Sequence, residues 1–249
     1  MRTILIIGAG RSASSLIKYL LNKAETERLH LIIADLSLEL AQKKTNNHPN
    51  ATPIQLDIAN IEERQQQIQK ADIVISMLPA HLHVEIAEDC IIFKKHMVTA
   101  SYISPKMQEL DAQAKENGLV FMNEIGLDPG IDHMSAMKVI DEIREKGGKM
   151  IQFESFCGGL VAPESDTNLW NYKFSWNPRN VVLAGQGGVS KFIQEGKYKY
   201  IPYNKLFRRT EFLEVEGFGR FEGYANRDSL KYRSIYGLDN ILTMYRGTL

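Results

Sequence analysis

The chain is poor in cysteine, has no excess of either charge and contains no long apolar run. Two cysteines in 249 residues, Cys90 and Cys157, cannot make a disulfide framework. Thirty Lys and Arg balance thirty Asp and Glu, for a formal net charge of zero. That balance excludes a protein that holds nucleic acid by displacing phosphate counterions. The opening run, residues 3–7, is too short for a signal peptide or a bilayer span, and no later stretch is longer. No membrane partner is expected, and the setting expected is the cytoplasm or a similar reducing compartment. Internal repeats, low-complexity linkers and charged tails are also missing. What is present is ordinary: 44% hydrophobic residues against 24% charged, enough apolar surface to bury a core and exclude disorder. The length allows one large domain or two modest ones.

The first half alternates short apolar runs with amphipathic stretches. Strands are expected at 3–7, 29–34, 52–56, 72–77, 97–100 and 119–122. Helices are expected at 12–23, 38–44, 61–69, 84–94 and 105–117, the last with Pro105 in its first turn. A run apolar on both faces is how a strand of a parallel sheet reads. Strands and helices alternating at this spacing make βαβ units, so residues 1–125 read as a doubly wound, Rossmann-type dinucleotide domain. Residues 126–249 read as a second α/β domain. It has a helix at 131–145, a strand at 149–157, a cluster of aromatics around Trp170–Trp176 and a hairpin at 211–224.

Gly8-Ala9-Gly10-Arg11-Ser12-Ala13 fits G-x-G-x-x-A, after a strand and before a helix, which is the context the motif requires. Gly8 permits the tight turn, Gly10 lets backbone approach a pyrophosphate, and Ala13 lets the helix pack closely. Arg11 and Ser12 complete the turn at the helix N-terminus, which attracts phosphate. Asp35 lies 22 residues beyond Ala13, where a carboxylate accepts hydrogen bonds from a ribose. A carboxylate there repels a 2′-phosphate, and Leu36-Ser37-Leu38 offers no arginine, so NAD is expected over NADP. Lys43 and Lys44 are the nearest cations in sequence. Leu78-Pro79-Ala80 and Ser101-Tyr102 follow the fourth and fifth strands, at the strand ends where open sheets bind ligands. Asp57, after the third strand, reads either as an adenine-side contact or as a helix N-cap. His81 and His83 lack further ligands at suitable spacing, and no metal site is expected.

Asn123-Glu124-Ile125-Gly126-Leu127-Asp128-Pro129-Gly130-Ile131-Asp132-His133 is a turn-rich segment feeding a helix. It resembles, almost word for word, a signature of the L-glutamate-forming saccharopine dehydrogenases. The resemblance extends through 99–105, through Phe156-Cys157-Gly158-Gly159-Leu160 with Ala162-Pro163-Glu164, and through 172–176, 226–229 and 246–249. Val161 departs from it, standing where the family has proline.

This resemblance implies a nucleotide domain followed by a catalytic domain, with hydride removal from the secondary amine of saccharopine. The resulting imine is hydrolysed to L-glutamate and 2-aminoadipate 6-semialdehyde. It implies Tyr102 and Asp128 as proton-exchanging groups, Cys157 beside them in the site, and Arg227 on a substrate carboxylate. Ser101 and Thr248 add hydrogen bonds to substrate, and Ser101, Leu127 and Asp128 border the cofactor. It further implies more chain after Leu249, so that the second domain reads as truncated, with an uncovered apolar face that favours a homodimer. Two competing readings stay open: a dehydrogenase of the carboxynorspermidine type, and a nucleotide-binding subunit without turnover.

Overall fold

The computed structural model describes residues 1–184 and 188–249. The chain divides into two compact units, Met1–Ile131 and Asp132–Leu249. Among the described residues no helix is long and apolar enough to cross a membrane.

The first unit is a six-stranded parallel sheet. Its strands are β1 (Arg2–Ile7), β2 (Leu29–Asp35), β3 (Ala51–Gln55), β4 (Ile73–Ser76), β5 (His96–Thr99) and β6 (Phe121–Met122). Their order is β3-β2-β1-β4-β5-β6, the dinucleotide-binding arrangement expected from the alternation. Along β1 the side chains alternate between two cores, since both faces of a parallel strand are covered. Ile4 and Ile6 pack with Ile17 and Leu21 of α1 (Ser14–Lys23) and Ala41 of α2 (Leu38–Thr45). Leu5 and Ile7 pack with Ile68 of α3 (Ile61–Lys70), Ile86 and Cys90 of α4 (His83–Ile92) and Met107 of α5 (Pro105–Glu109).

Helix starts follow capping chemistry. The Ser37 hydroxyl accepts the Leu40 N–H at 3.3 Å, the Asn60 side chain accepts Glu63 N–H at 3.3 Å, and Ser104 accepts Met107 N–H at 3.1 Å. The helix expected over 105–117 is in fact two, α5 and α6 (Asp111–Glu116). Buried Leu110 separates them, its N–H turned to Met107 O at 3.2 Å in a tightened three-residue step. Arg64 ties α3 to α4 from a buried position. Its Nε donates to Asp89 Oδ2 at 2.6 Å, and one terminal nitrogen donates to Ile58 O at 2.7 Å and Glu85 Oε2 at 2.9 Å.

The second unit opens with α7 (Ile131–Glu145), which begins at the unit boundary, and β7 (Gln152–Cys157). There follow α8 (Pro178–Ala184), then β8 (Val189–Gln194), β9 (Lys197–Pro202), β10 (Glu211–Val215), β11 (Gly219–Ala225) and β12 (Thr243–Thr248). The sheet is mixed, and its last strand in sequence lies at its centre. β12 pairs in parallel with β7 along its whole length. Its other edge is shared: Met244 faces Ile193 of β8, and Gly247 and Thr248 face Ala225 and Tyr224 of β11. Met244 packs with Ile140 of α7, Phe153, Tyr232 and Tyr236. Tyr245, the next residue, packs with Phe192, Ile201 and Leu206 on the opposite face. The hairpin expected at 211–224 forms as β10 and β11. The β8–β9 hairpin and β12 were not expected from the sequence.

Candidate functional site

In a parallel sheet all strands end on the same edge. Gly8, Asp35, Asp57, Leu78, Ser101 and Leu127 end or follow β1 to β6 in turn, so the sequence-predicted residues of the first unit gather along that edge. The strand order reverses between β1 and β4, where α1 and α4 pack on opposite faces, the switch point at which open sheets of this kind bind ligands.

The two glycines of the turn differ in kind. Gly8 has φ +106°, and a Cβ there would lie 2.9 Å from Met77 O, so conformation and space both demand glycine. Gly10 has φ −64° and ψ −173°, a conformation open to any residue, and a Cβ there would meet nothing within 4 Å. The fold does not need glycine at position 10, and the absence of a side chain leaves the backbone there open to close approach. Arg11, Ser12 and Ala13 follow as one 3-10 turn leading into α1, with Ala13 buried and Arg11 and Ser12 exposed. The residues thus fit a dinucleotide pyrophosphate.

Asp35 requires a correction. Its Oδ2 accepts the Ala9 N–H at 2.7 Å and its Oδ1 the Ser37 N–H at 3.0 Å. Both oxygens serve the backbone, clamping the glycine turn to the end of β2. The carboxylate is therefore not bare, as the expectation of NAD required; two amide donors already face it. Lys44 is also closer than its position implied, since its Nζ donates to Ser14 Oγ at the start of α1. Asp57 is not the cap of α3, which is Asn60; it accepts Ala59 N–H at 2.9 Å in a local turn and stays exposed. Pro79 and Ala80 are exposed, and Leu78 packs against the core.

Beyond β5 and β6 two loops are stitched together. Glu124 N–H donates to Ser101 O at 3.1 Å, and Ile103 N–H donates to Glu124 Oε1 at 3.0 Å. The turn after β6 closes by Gly126 N–H to Pro129 O at 2.8 Å, and a Cβ on Gly130 would stand 2.1 Å from Gly126 O. These constraints bring Tyr102 to Asp128: the phenol donates to Asp128 Oδ1 at 2.6 Å. Tyr102 is 46% exposed, so the pair faces solvent instead of sealing a core.

One residue of this edge was missed. His83, the first residue of α4, is 3% exposed. Its Nδ1 lies 2.8 Å from Ser76 Oγ, and its Nε2 lies 2.7 Å from Ser101 Oγ and 3.2 Å from Thr99 Oγ1. Burial, with His81 nearby, lowers its pKa to about 4, so the ring is neutral near pH 7. The available signal was the set of hydroxyl residues, Ser76 and Thr99, ending otherwise apolar strands.

In the second unit the predicted residues also converge. Cys157 and Thr248 are register partners at the ends of β7 and β12, and the Thr248 hydroxyl donates to Asn226 Oδ1 at 2.6 Å. Arg227 follows Asn226, exposed, with its carbonyl accepting Lys191 N–H at 2.9 Å. Its acidic neighbours are engaged elsewhere: Asp228 with Lys191 at 3.1 Å, Glu222 with Thr210 at 2.6 Å. Below them Arg246, 4% exposed, donates to Asp132 Oδ2 at 2.8 Å.

A parallel sheet in this strand order, with a glycine turn open at Gly10, defines a dinucleotide-binding protein with a second, mixed-sheet domain. The family model described as "Saccharopine dehydrogenase NADP binding domain" matches residues 4–122, and "Saccharopine dehydrogenase C-terminal domain" matches 126–249. The chain belongs to the saccharopine dehydrogenase family.

It is 39% identical, over all 249 residues, to the saccharopine dehydrogenase [NADP(+), L-glutamate-forming] of Pyricularia oryzae, of which it covers 54%. It is 36% identical to the mitochondrial alpha-aminoadipic semialdehyde synthase of Mus musculus, covering 26% of that protein. The apo saccharopine dehydrogenase (L-Glu forming) of Saccharomyces cerevisiae superposes with a TM-score of 0.89 at 34% identity, over all of this chain and 55% of that one. The chain spans about half the length of the fungal saccharopine dehydrogenases it matches. The NADP type of the matching domain, and of the named fungal relatives, overturns the expectation of NAD over NADP.

Proposed function

We propose that this chain carries the NADP(H)-dependent chemistry of a saccharopine dehydrogenase: oxidation at the secondary amine of saccharopine, yielding L-glutamate and 2-aminoadipate 6-semialdehyde. The observation that carries this reading is the Tyr102–Asp128 hydrogen bond of 2.6 Å at the carboxyl edge of a dinucleotide-type sheet. Family membership supports it. When bound, the nicotinamide accepts the hydride.

The chain's own groups do the rest. The Gly8–Ala13 turn and the start of α1 hold the pyrophosphate, with Leu78, Pro79, Ala80, Ser101 and Leu127 along the same edge and Asp57 toward the adenine. Oxidation turns an amine into an imine, and hydrolysis adds water and then expels an amine, so protons move at several steps. The Tyr102 phenol, aligned by the Asp128 carboxylate, is a relay that can take and return them. Arg227 offers two parallel N–H donors to one substrate carboxylate, and Thr248 a hydroxyl. Cys157 is no nucleophile in this reading, since hydride transfer needs no covalent enzyme intermediate. A homodimer and a cytoplasmic setting belong to the same proposal.

A second reading is favoured by the coverage of about half of the relatives' length: the chain is the nucleotide-binding part of a larger enzyme. Saccharopine-dependent reduction of NADP+, with glutamate measured as product, separates the two. Turnover that Tyr102→Phe lowers by about a hundredfold or more supports the first. NADPH binding without turnover supports the second.

A further inference from the structure

We infer that His83 is a positioning residue, one that sets the direction of the Ser101 hydroxyl at the ligand-binding edge. The inference rests on the reading that Ser101 borders the bound dinucleotide.

The geometry is that of a bridge. Ser76 ends β4, Thr99 ends β5, and Ser101 lies two residues further, partly exposed at the carboxyl edge of the sheet. A single imidazole spans all three hydroxyls, with Ser76 on Nδ1 at 2.8 Å and Ser101 and Thr99 on Nε2 at 2.7 and 3.2 Å. Thr99 Oγ1 also accepts the Ser101 N–H at 3.3 Å, so backbone and side chain of Ser101 are both held. A neutral imidazole has one donor and one acceptor nitrogen, and the partner of one fixes the role of the other. Ser76, 1% exposed, cannot exchange its bond for water. The direction of the Ser76–Nδ1 bond and that of the Nε2–Ser101 bond are therefore tied through the ring: if Ser76 donates, Nε2 gives its proton to Ser101, and if Ser76 accepts, Nε2 takes one from it.

Any buried histidine needs partners on both nitrogens; what sets His83 apart is that one of them, Ser101, is only partly buried at the carboxyl edge of the sheet. The half-buried end of this bridge lies at the binding edge and the fully buried end inside the sheet. Charge does not enter: burial keeps the ring neutral at working pH.

Side-chain length makes the test selective. Asparagine places its amide near the Nδ1 position and glutamine near Nε2. His83→Asn keeps the Ser76 contact and drops Ser101; His83→Gln keeps the reach to Ser101. NADPH dissociation constants are measured for wild type, His83→Asn, His83→Gln, Ser101→Ala and the Ser101→Ala/His83→Asn pair, with thermal midpoints alongside. His83→Asn should weaken NADPH about five- to tenfold, the worth of one hydrogen bond, and His83→Gln should restore most of it. In the Ser101→Ala background His83→Asn should have no further effect on binding, whatever it does to the midpoint.

Additive effects, or a His83→Asn affinity equal to wild type, would overturn the inference. Absence of NADPH binding by the wild-type chain would overturn it too, by removing the reading beneath it. Imidazole 15N shifts of the wild-type chain give a readout that needs no variant to fold. One neutral tautomer from pH 8 to 5 that shifts on NADPH addition supports the bridge. A tautomer mixture, or shifts indifferent to NADPH, contradicts it.

Discussion

In Met1–Ile131 strands that neighbour in space mostly neighbour in sequence, and a helix covers each return. In Asp132–Leu249 the central strand is the last one, and Thr243 of β12 finds its parallel partner at Gln152. The first arrangement follows from local pattern, because each βαβ unit closes on itself. The second depends on pairings that no window of sequence contains, and such pairings also form late in folding. The contrast extends to function. The first unit's candidate groups sit on one edge by topology alone, whereas Cys157 and Thr248 are neighbours, with Asn226 beside them, only because distant segments join at β12.

If the units are separately held, breaking one should spare the other. Arg64→Met leaves the buried Asp89 carboxylate without its guanidinium and should destabilise the first unit by about 3–5 kcal/mol. Hydrogen exchange should accelerate in β1, β4 and α4 and stay unchanged in β7 and β12. Uniform acceleration across both units would merge them into one cooperative body.

A smaller, pH-dependent loss should also be confined to the first unit. His83 has a folded pKa of about 4 against an ordinary 6.5, so between those values the unfolded chain binds the extra proton. Its contribution is full above pH 6.5 and is lost as pH falls toward 4, amounting to up to about 3 kcal/mol. Denaturant melts at pH 7 and pH 4.5, comparing wild type with His83→Gln, isolate this part; parallel pH slopes would exclude it.

The smallest effect belongs to the second unit. Glu195 and Gly196, with φ of +52° and +75°, form the turn between β8 and β9. Gly196→Ala should cost about 1 kcal/mol, read as faster exchange along Phe192–Tyr198 with the first unit untouched.

Most of the first unit was legible. Apolar runs such as Ile4–Ile7 are strands buried on both faces, and the strand order followed. The break at Leu110 was not, because periodicity continues across it while the backbone tightens. In the second unit the Glu195-Gly196 dipeptide between Ile193 and Tyr198 was a usable hairpin signal of the two-residue kind. β12 had none, since a central strand is defined by its partners.

The glycine turn and the Tyr102–Asp128 pair lie along one sheet edge, as the alternation of strands and helices implied; the hydrogen-bond partners on that edge were not legible. Asp35 binds its own backbone, and only a three-dimensional register places Ala9 N–H against it. His83 looked like half of a histidine pair and is instead joined to Ser76 and Ser101, residues of two other strand ends.

Whether this edge holds a dinucleotide is tested most directly at Gly10. Position 10 has ordinary backbone angles and open space about its Cβ, so Gly10→Val should leave the thermal midpoint within about 2 °C of wild type. Titration with NADPH, followed by its fluorescence, should show saturable binding to wild type and at least a hundredfold loss in Gly10→Val, because the new side chain occupies the place of the pyrophosphate. Equal affinity in the two proteins would show that the dinucleotide does not lie on this turn.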